Sequence, residues 1–446
     1  MTGTLQPRAL VVGLGASGTA ACLLLLRHGW LVRVNDRAAP ESLTESLGQI
    51  PAQVERVLGG HPPAALAGVS LVVVSPGVPW DLPLLAEARL HNLEVVDEVE
   101  LAYRFLADTP LVAVTGSNGK STVTSWIGTM AESAGQRAGV GANLGTPASA
   151  LVLTGGWDVM VWELSSFQLE GCTSLRPRVG VLLNISADHL DRHGDLDGYL
   201  AAKRRIFDTQ QGFDTAVLNA DDPLVAAVAP PARRAVFSLT RPSAEAHLSR
   251  DTLVLDDEPL VDRRDLLLLG AHNVANALAS ALAASRAGIP REAIIAGLTT
   301  FPGLPHRHRL VAEVRGVRWV DDSKGTNIGA TAAGLAGYPP GRIHLILGGL
   351  GKGQDFTALG PAMKGRVVRA YLIGAAAREL AEALAGAAEL EPCGTLETAV
   401  ARAAAHTRPG DVVLLSPACA SFDQFHSYAH RGNEFARLVA ALPEVV

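Results

Sequence analysis

The sequence predicts an α/β protein of parallel sheets divided among three domains. Three observations carry that reading. Apolar strands alternate with helix-like segments from end to end of the chain. Two glycine-rich loops, about one hundred residues apart, each follow a strand and open a helix. A Pro/Gly-rich break at Phe301-Pro302-Gly303-Leu304-Pro305 precedes a third run of the same alternation.

The strands are expected at Ala9 to Val12, Val32 to Asn35 and Val69 to Val74, then at Leu111 to Val114, Val159 to Glu163 and Val179 to Asn184. An alanine-rich helix is expected from about Asn273 to Gly288. Beyond the break, strands are expected at Val317 to Val320, Ile343 to Leu347, Val368 to Ile373 and Val412 to Ser416. Cuts near Asp97 and at the 301–305 break give domains 1–97, 98–302 and 303–446.

Length and composition agree. A chain of 446 residues is long for one core, since domains of about 100–200 residues are usual. With 48% hydrophobic and 18% charged residues, 45 glycines and 5% aromatics, it suits compact, Ala/Leu/Val-rich domains. A net charge of -6 and the lack of a Lys/Arg stripe argue against a nucleic-acid partner. The chain opens without an export-signal pattern, and its longest apolar runs fall short of the ~20 residues that span a bilayer. Cys22, Cys172, Cys393 and Cys419 are scattered, suggesting neither zinc nor disulfides. A reducing cytoplasm and no membrane are expected.

The two loops differ in meaning. Gly13-Leu14-Gly15-Ala16-Ser17-Gly18 has the spacing and context of a dinucleotide fingerprint, and Asp36 ends the next strand, where an acidic residue commonly bonds a ribose hydroxyl. A nicotinamide cofactor, another nucleotide such as a UDP-sugar, and a tight turn without a ligand all remain open on these residues. Thr115-Gly116-Ser117-Asn118-Gly119-Lys120-Ser121-Thr122 is the stronger signal. Its backbone N–H groups and Lys120 can cradle the β- and γ-phosphates of a triphosphate, and the Ser121 hydroxyl can bind Mg2+. Val114 stands where the leading glycine of the full phosphate-loop pattern would be.

Further ligands for a bound Mg-ATP should lie at the ends of neighbouring strands. Glu163 ends one such strand and begins Glu163-Leu164-Ser165-Ser166-Phe167-Gln168-Leu169. A polar cluster follows Asn184: Ile185-Ser186-Ala187-Asp188-His189-Leu190-Asp191-Arg192-His193. His189 reads as a ligand or proton acceptor. Asp188, Asp191 and His193 read individually as solvated loop or cap residues, and Lys203 as an exposed helix lysine.

Ten ordered segments now resemble one family, the Mur ligases and their folylpolyglutamate synthetase relatives: GLGASG, TGSNGKST, ELSSFQLE, NISADHLDRH, AAKRRIF, AHNVANALA, LPHRHR, DDSKGTN, GGLGKGQDF and SPACASFDQFHSYAHRGNEF. The resemblance covers nearly the whole chain and is strongest to the D-glutamate-adding members. It implies a Rossmann-like UDP-binding domain, a central P-loop ATPase-type domain and a Rossmann-like C-terminal domain. It also implies an ATP-dependent amide ligase, with UDP-N-acetylmuramoyl-L-alanine and D-glutamate as partners, in cytoplasmic peptidoglycan precursor synthesis. The family expectation is a monomer.

Residue by residue, the resemblance implies that Gly116, Ser117, Asn118, Gly119, Lys120, Ser121 and Thr122 hold ATP phosphates. Two Mg2+ ions would be held by Ser121, Glu163, His189 and Lys203, the last as a CO2-derived carbamate. Lys120, His189 and Lys203 are the implied catalytic set. Asn273 and Asn276 match adenine-side contacts, and His306, Arg307 and Asp322 match nucleotide contacts from the C-terminal domain. Ala16, Ser17, Asp36, Arg37 and Ser75 match a uracil and diphosphate pocket. Asn143 matches a contact to the nucleotide substrate, Ser165 and Gln168 match substrate positions, and Lys324, Thr326, Lys352, Ser421 and Phe422 match positions near D-glutamate. A carbamate turns a cation into an anion able to bind Mg2+, which an ammonium cannot do.

Against this reading, a nicotinamide-dependent oxidoreductase gives no use to Lys120, Glu163 or Lys203. A sibling ligase adding another amino acid is the closer alternative. SPACASFDQF, the short GLGASG loop and the lack of the Asn-Pro-Arg motif of diamino-acid-adding relatives weigh against it.

Overall fold

The computed structural model describes residues 6–268, 270–351 and 353–442. Its strands form three sheets that follow one another along the chain.

In the first sheet the spatial order is Glu55–Leu58, Leu31–Asp36, Arg8–Val12, Leu71–Val74, Glu94–Asp97, all parallel. The chain builds outward from Arg8–Val12 on one side and then crosses to the other, so a switch point falls at the carboxyl end of that strand. The first glycine loop sits there. A Cβ on Gly18 would lie 1.8 Å from the Gly13 carbonyl oxygen, so the helix Ala16–Arg27 can pack this close to its loop only with glycine.

The central sheet has nine strands: Glu258–Asp262, Thr252–Leu255, Ala246–Ser249, Arg233–Ser238, Thr215–Asn219, Val179–Leu182, Leu111–Thr115, Val159–Glu163, Ala138–Ala142. All are parallel except the pairings of the first three, which are antiparallel. Side chains alternate between two buried faces. Val112, Val114, Val161 and Val181 face the helices Lys120–Ser133, Ala271–Arg286 and Arg291–Thr300, in a core with Trp126, Met130 and Leu298. Leu111, Ala113, Met160, Trp162 and Leu182 pack on the other side with Tyr199 and Phe207. Each such side chain contributes about 1.5–3 kcal/mol on full burial, which fixes the strand that carries the phosphate loop.

The C-terminal sheet runs Arg309–Val314, Val317–Asp321, Val412–Leu415, Ile343–Gly348, Val367–Ile373, Glu389–Gly394, with only the first pair antiparallel.

Each expected strand is present with small shifts. The run from Val69 becomes a strand only at Leu71, because the Val69 amide bonds back to Leu66 in the preceding turn. The run to Asn184 leaves the sheet after Leu182, because Asn184 is drawn to the phosphate loop. Strands such as Glu55–Leu58, Arg309–Val314 and Glu389–Gly394 went unread; they lie at sheet edges, charged and largely exposed. Among the described residues no helix is long and apolar enough to cross a membrane.

Candidate active site

Leu111–Thr115 lies between Val159–Glu163 and Val179–Leu182, all three parallel. Their carboxyl ends therefore share one edge, and that edge collects the loop 115–122, Glu163, and the segment from Asn184 to His189. Gly116 and Gly119 have φ of 152° and 86°, and a Cβ on Gly119 would lie 2.5 Å from Asn276 Oδ1 on the helix Ala271–Arg286. Asn184 clamps the loop from both sides: its Oδ1 accepts the Asn118 N–H at 2.8 Å and its Nδ2 donates to the Asn118 carbonyl at 3.0 Å. The loop then delivers its free end to the N-terminus of the helix Lys120–Ser133, a natural anion site.

A cavity of about 850 Å3 opens over this edge. It is lined by Ser117, Asn118, Gly119, Lys120, Ser121 and Thr122 of the loop, by Asn143, Glu163, Ser165, His189, Lys203, Asn273 and Asn276 of the central domain, and by Arg307, Asp322, Lys324 and Thr326 of the C-terminal part. Residues from distant stretches of sequence thus meet in one place.

Lys203 is the least expected of them. It is 1% exposed, and its Nζ donates to the Gly116 carbonyl at 2.8 Å. The helix Leu196–Arg204 points it inward against Tyr199, whose ring its Nζ overlies. Burial pushes its pKa well below the usual lysine value, and the nearby Lys120 charge pushes the same way, against Asp188 and Glu163. Lys120 donates to the Gly116 and Ser117 carbonyls, both at 2.9 Å. Its pKa is also lowered by burial, with Glu163 opposing.

Glu163 is buried, not solvated. Asn143 donates to its Oε1 at 2.5 Å, while Oε2 is buried without a hydrogen-bond partner. Such an orphaned carboxylate oxygen suits a cation. Among the described residues no group of three or more His, Cys, Asp or Glu is placed to hold a metal by itself. A cation here would complete its shell from Ser121, Glu163, phosphate oxygens and water, which fits the preference of Mg2+ for one or two carboxylates plus substrate phosphates.

The C-terminal part closes on the loop. Arg307 Nη2 donates to Ser121 Oγ at 2.6 Å, and Asn327 Nδ2 donates to Asp188 Oδ2 at 3.1 Å. His306 meets Asp321 at 2.6 Å, and His308 meets Asp322 at 3.2 Å. His306 and His308 have φ of 63° and 49°, a conformation costing roughly 1–3 kcal/mol per non-glycine residue. Burial depresses His272 to about 4, aided by His308; at His308 itself burial also lowers the pKa, but the carboxylates of Asp322 and Asp321 together raise it above the ordinary value.

Several expected residues lie elsewhere. Gly116 sits under the loop as the acceptor for both lysines, and His306 stands behind Arg307. Gln168 is 1% exposed, and its Oε1 forms a reciprocal capping box with Ser165 at the start of the helix Ser166–Glu170. Ala16 and Ser17 open the first-domain helix. Asp36 accepts the Leu14 and Ala38 N–H groups at 2.7 and 2.8 Å, and Ser75 Oγ donates to the Gly13 carbonyl at 2.7 Å. Arg37 follows this cluster in sequence, and Pro76 and Gly77, next to Ser75, reach the cavity. Ser421 is buried and Phe422 exposed, and neither lines the cavity. Lys352 lies outside the described residues.

Other residues of the site were not singled out from sequence. Asn184, Asn327 and His308 line the cavity. Asp188, read as a solvated residue, lines it too. His193, read the same way, is half-buried with its side chain covered, and bonded to Ser166 Oγ at 3.0 Å. The density of polar residues after a buried strand was the available signal.

Three family models match the chain in order: the Mur ligase MurD-like N-terminal domain over residues 7–97, the Mur ligase middle domain over 114–284, and the Mur ligase glutamate ligase domain over 306–419. The chain is 47% identical to a UDP-N-acetylmuramoylalanine--D-glutamate ligase of Anaeromyxobacter dehalogenans, over 97% of each chain. It is 46% identical to the ligase of the same name from Chromobacterium violaceum, again over 97% of each. In fold it is similar to MurF from Acinetobacter baumannii, with a TM-score of 0.64 at 17% identity, covering 97% of this chain and 93% of that one. The UDP-N-acetylmuramate-alanine ligase of Thermotoga maritima gives a TM-score of 0.62 at 17% identity over 98% and 100%. A phosphate loop, a buried lysine beside it and full-length relatives of one kind lead to the same conclusion: the chain belongs to the Mur ligase family, with the D-glutamate ligases as its relatives.

Proposed function

We propose that this protein is an ATP-dependent ligase that joins D-glutamate to UDP-N-acetylmuramoyl-L-alanine, as a monomer in the cytoplasm, for peptidoglycan precursor synthesis. The observation that carries the reading is Lys203, a buried amine 2.8 Å from the carbonyl of the phosphate loop that also carries Lys120 and Ser121.

A free carboxylate resists attack by an amine. The terminal carboxylate of the UDP-substrate therefore attacks the γ-phosphorus of ATP; the bond to the bridging oxygen breaks, and ADP leaves. The resulting acyl phosphate is then attacked by the amine of D-glutamate, phosphate departs with the electron pair of the C–O bond, and the amine loses a proton. Phosphoryl transfer needs positioning and charge neutralisation above all. The loop N–H groups, Lys120 and Arg307 supply donors to the phosphates. Two Mg2+ ions, held by Ser121, Glu163, His189 and carbamylated Lys203, would neutralise charge on the transferring group. The buried Lys203 suits the carbamate, because CO2 adds only to a neutral amine and burial favours that form. We assign Asn273 and Asn276 to the adenine and Lys324 and Thr326, which line the cavity, to D-glutamate; Ser421, Phe422 and Lys352 are assigned to D-glutamate by family resemblance alone. Ala16, Ser17, Asp36, Arg37 and Ser75 belong to the UDP side, where Asp36 and Ser75 act by holding the glycine loop.

The test is phosphate release from ATP and Mg2+ with UDP-N-acetylmuramoyl-L-alanine and a panel of D-glutamate, L-glutamate, D-alanine, L-alanine, L-lysine and meso-diaminopimelate. Release that requires both the UDP-substrate and D-glutamate supports the proposal; release with a different amino acid moves the specificity, and none with any overturns it.

A further inference from the structure

Arg307 is flanked by two residues with left-handed backbone, His306 and His308, and each is tied to one of two successive carboxylates at the end of the strand Val317–Asp321. A non-glycine residue keeps that backbone only where its surroundings fix it. For His308 the fixing is many-sided. Its Nε2 meets Asp322 Oδ2 at 3.2 Å and its Nδ1 meets Tyr338 Oη at 3.1 Å. Its ring lies so close over the helix Ile328–Leu335 that a Cβ on Gly334 would sit 2.4 Å away. Ser416 Oγ donates to the same Asp322 oxygen at 2.7 Å. From the central domain, the ring of His272 stands 5.3 Å from that of His308.

A residue that only filled space would not need a polar partner at each ring nitrogen; a phenylalanine would serve. The partners lead instead toward the nucleotide side of the cavity. Asp322 lines it, Arg307 reaches Ser121 on the phosphate loop, and His272 precedes Asn273 on the helix whose Asn276 packs on Gly119. We infer that His308 is a positioning residue for ATP: by gripping Asp322 and holding the left-handed turn, it aims the Asp322 carboxylate and the Arg307 guanidinium at the nucleotide. The inference rests on the ligase reading above, and it assigns His308 to ATP and not to D-glutamate.

The experiment compares the wild-type chain with His308→Phe, His308→Asn, Asp322→Asn and the pair His308→Phe/Asp322→Asn. Asparagine tolerates left-handed backbone, so His308→Asn guards against a variant that fails only through strain. ATP affinity is measured directly by equilibrium dialysis with Mg-ATP, and KM is measured for ATP and for D-glutamate. Loss of a hydrogen bond to a charged group should weaken ATP by about ten-fold in both His308 variants, with KM for D-glutamate changed less than about two-fold. Because His308 and Asp322 act as one network, the double variant should lose clearly less ATP affinity than the product of the two single fold-losses. Additive losses, unchanged ATP affinity, or equal rises in both KM values overturn the inference. A wild-type chain that binds no ATP overturns the ligase reading and this inference together.

Discussion

Lys203 Nζ lies 2.8 Å from the carbonyl oxygen of Gly116, a residue 87 positions earlier in the chain. An amine has been carried into the base of a phosphate loop and enclosed there. If its role is to bear a carbamate, charge of the opposite sign is what the site requires. Lys203→Ala should lower activity by at least about a hundred-fold, with partial rescue by formate, acetate or similar small carboxylates. Lys203→Arg should be equally impaired, since a guanidinium stays cationic. Steady-state phosphate release checks both, and full activity of either variant without additive contradicts the carbamate.

Asn143 donates to Glu163 Oε1 at 2.5 Å, which orients the carboxylate whose other oxygen is buried without a partner. Asn143→Ala should therefore raise the Mg2+ concentration for half-maximal activity by about ten-fold, as loss of a supporting bond commonly does. A Mg2+ titration checks this. A rise confined to KM for the UDP-substrate would instead assign Asn143 to that substrate.

Glu98 is fully buried at the start of the helix that leaves the first domain, with its Oε1 accepting the Ser149 N–H at 2.6 Å. Burial raises its pKa from 4.5 to about 7, the Ser149 bonds opposing. The folded state thus holds a proton that the unfolded state has lost between those values, so stability falls as pH rises from 4.5 to about 7 and levels off above. This group contributes about 3 kcal/mol to that fall. Urea unfolding across this range should show a clearly shallower slope with pH for Glu98→Gln than for the wild type.

Gly297 marks the closest approach of two helices on the central sheet: a Cβ there would lie 2.6–3.0 Å from Met130, backbone included, and its carbonyl accepts the Trp126 Nε1–H at 3.0 Å. Gly297→Ala should destabilise by about 1–3 kcal/mol through overpacking. Thermal unfolding measures it, and an unchanged midpoint contradicts the packing described.

Sequence told most about elements whose burial is two-sided. Leu111–Thr115 and Val159–Glu163 are continuous apolar runs because both faces are covered, and the loop after the first has a spacing that survives out of context. Edge strands such as Glu55–Leu58, half polar and exposed, left no comparable pattern. Within the site, Lys120 and Ser121 could be read from their neighbours. Lys203 could not, because a lysine on a helix shows its direction only once Tyr199 and the strand ends it packs against are in place; only family resemblance named it. His308 was invisible for a related reason, since its partners Asp322 and Tyr338 arrive from 14 and 30 residues away. Gln168 shows a further role that segment matching could not: its side chain completes the capping box of the helix Ser166–Glu170.

The proposed chemistry transfers the phosphoryl group to the substrate carboxylate before the amide forms. UDP-N-acetylmuramoyl-L-alanine labelled with oxygen-18 in its terminal carboxylate, turned over with ATP, Mg2+ and D-glutamate, tests it directly by mass analysis of the released phosphate. Each phosphate should carry one labelled oxygen and be released only when D-glutamate is present; unlabelled phosphate from a reaction that makes the amide would rule out the acyl phosphate.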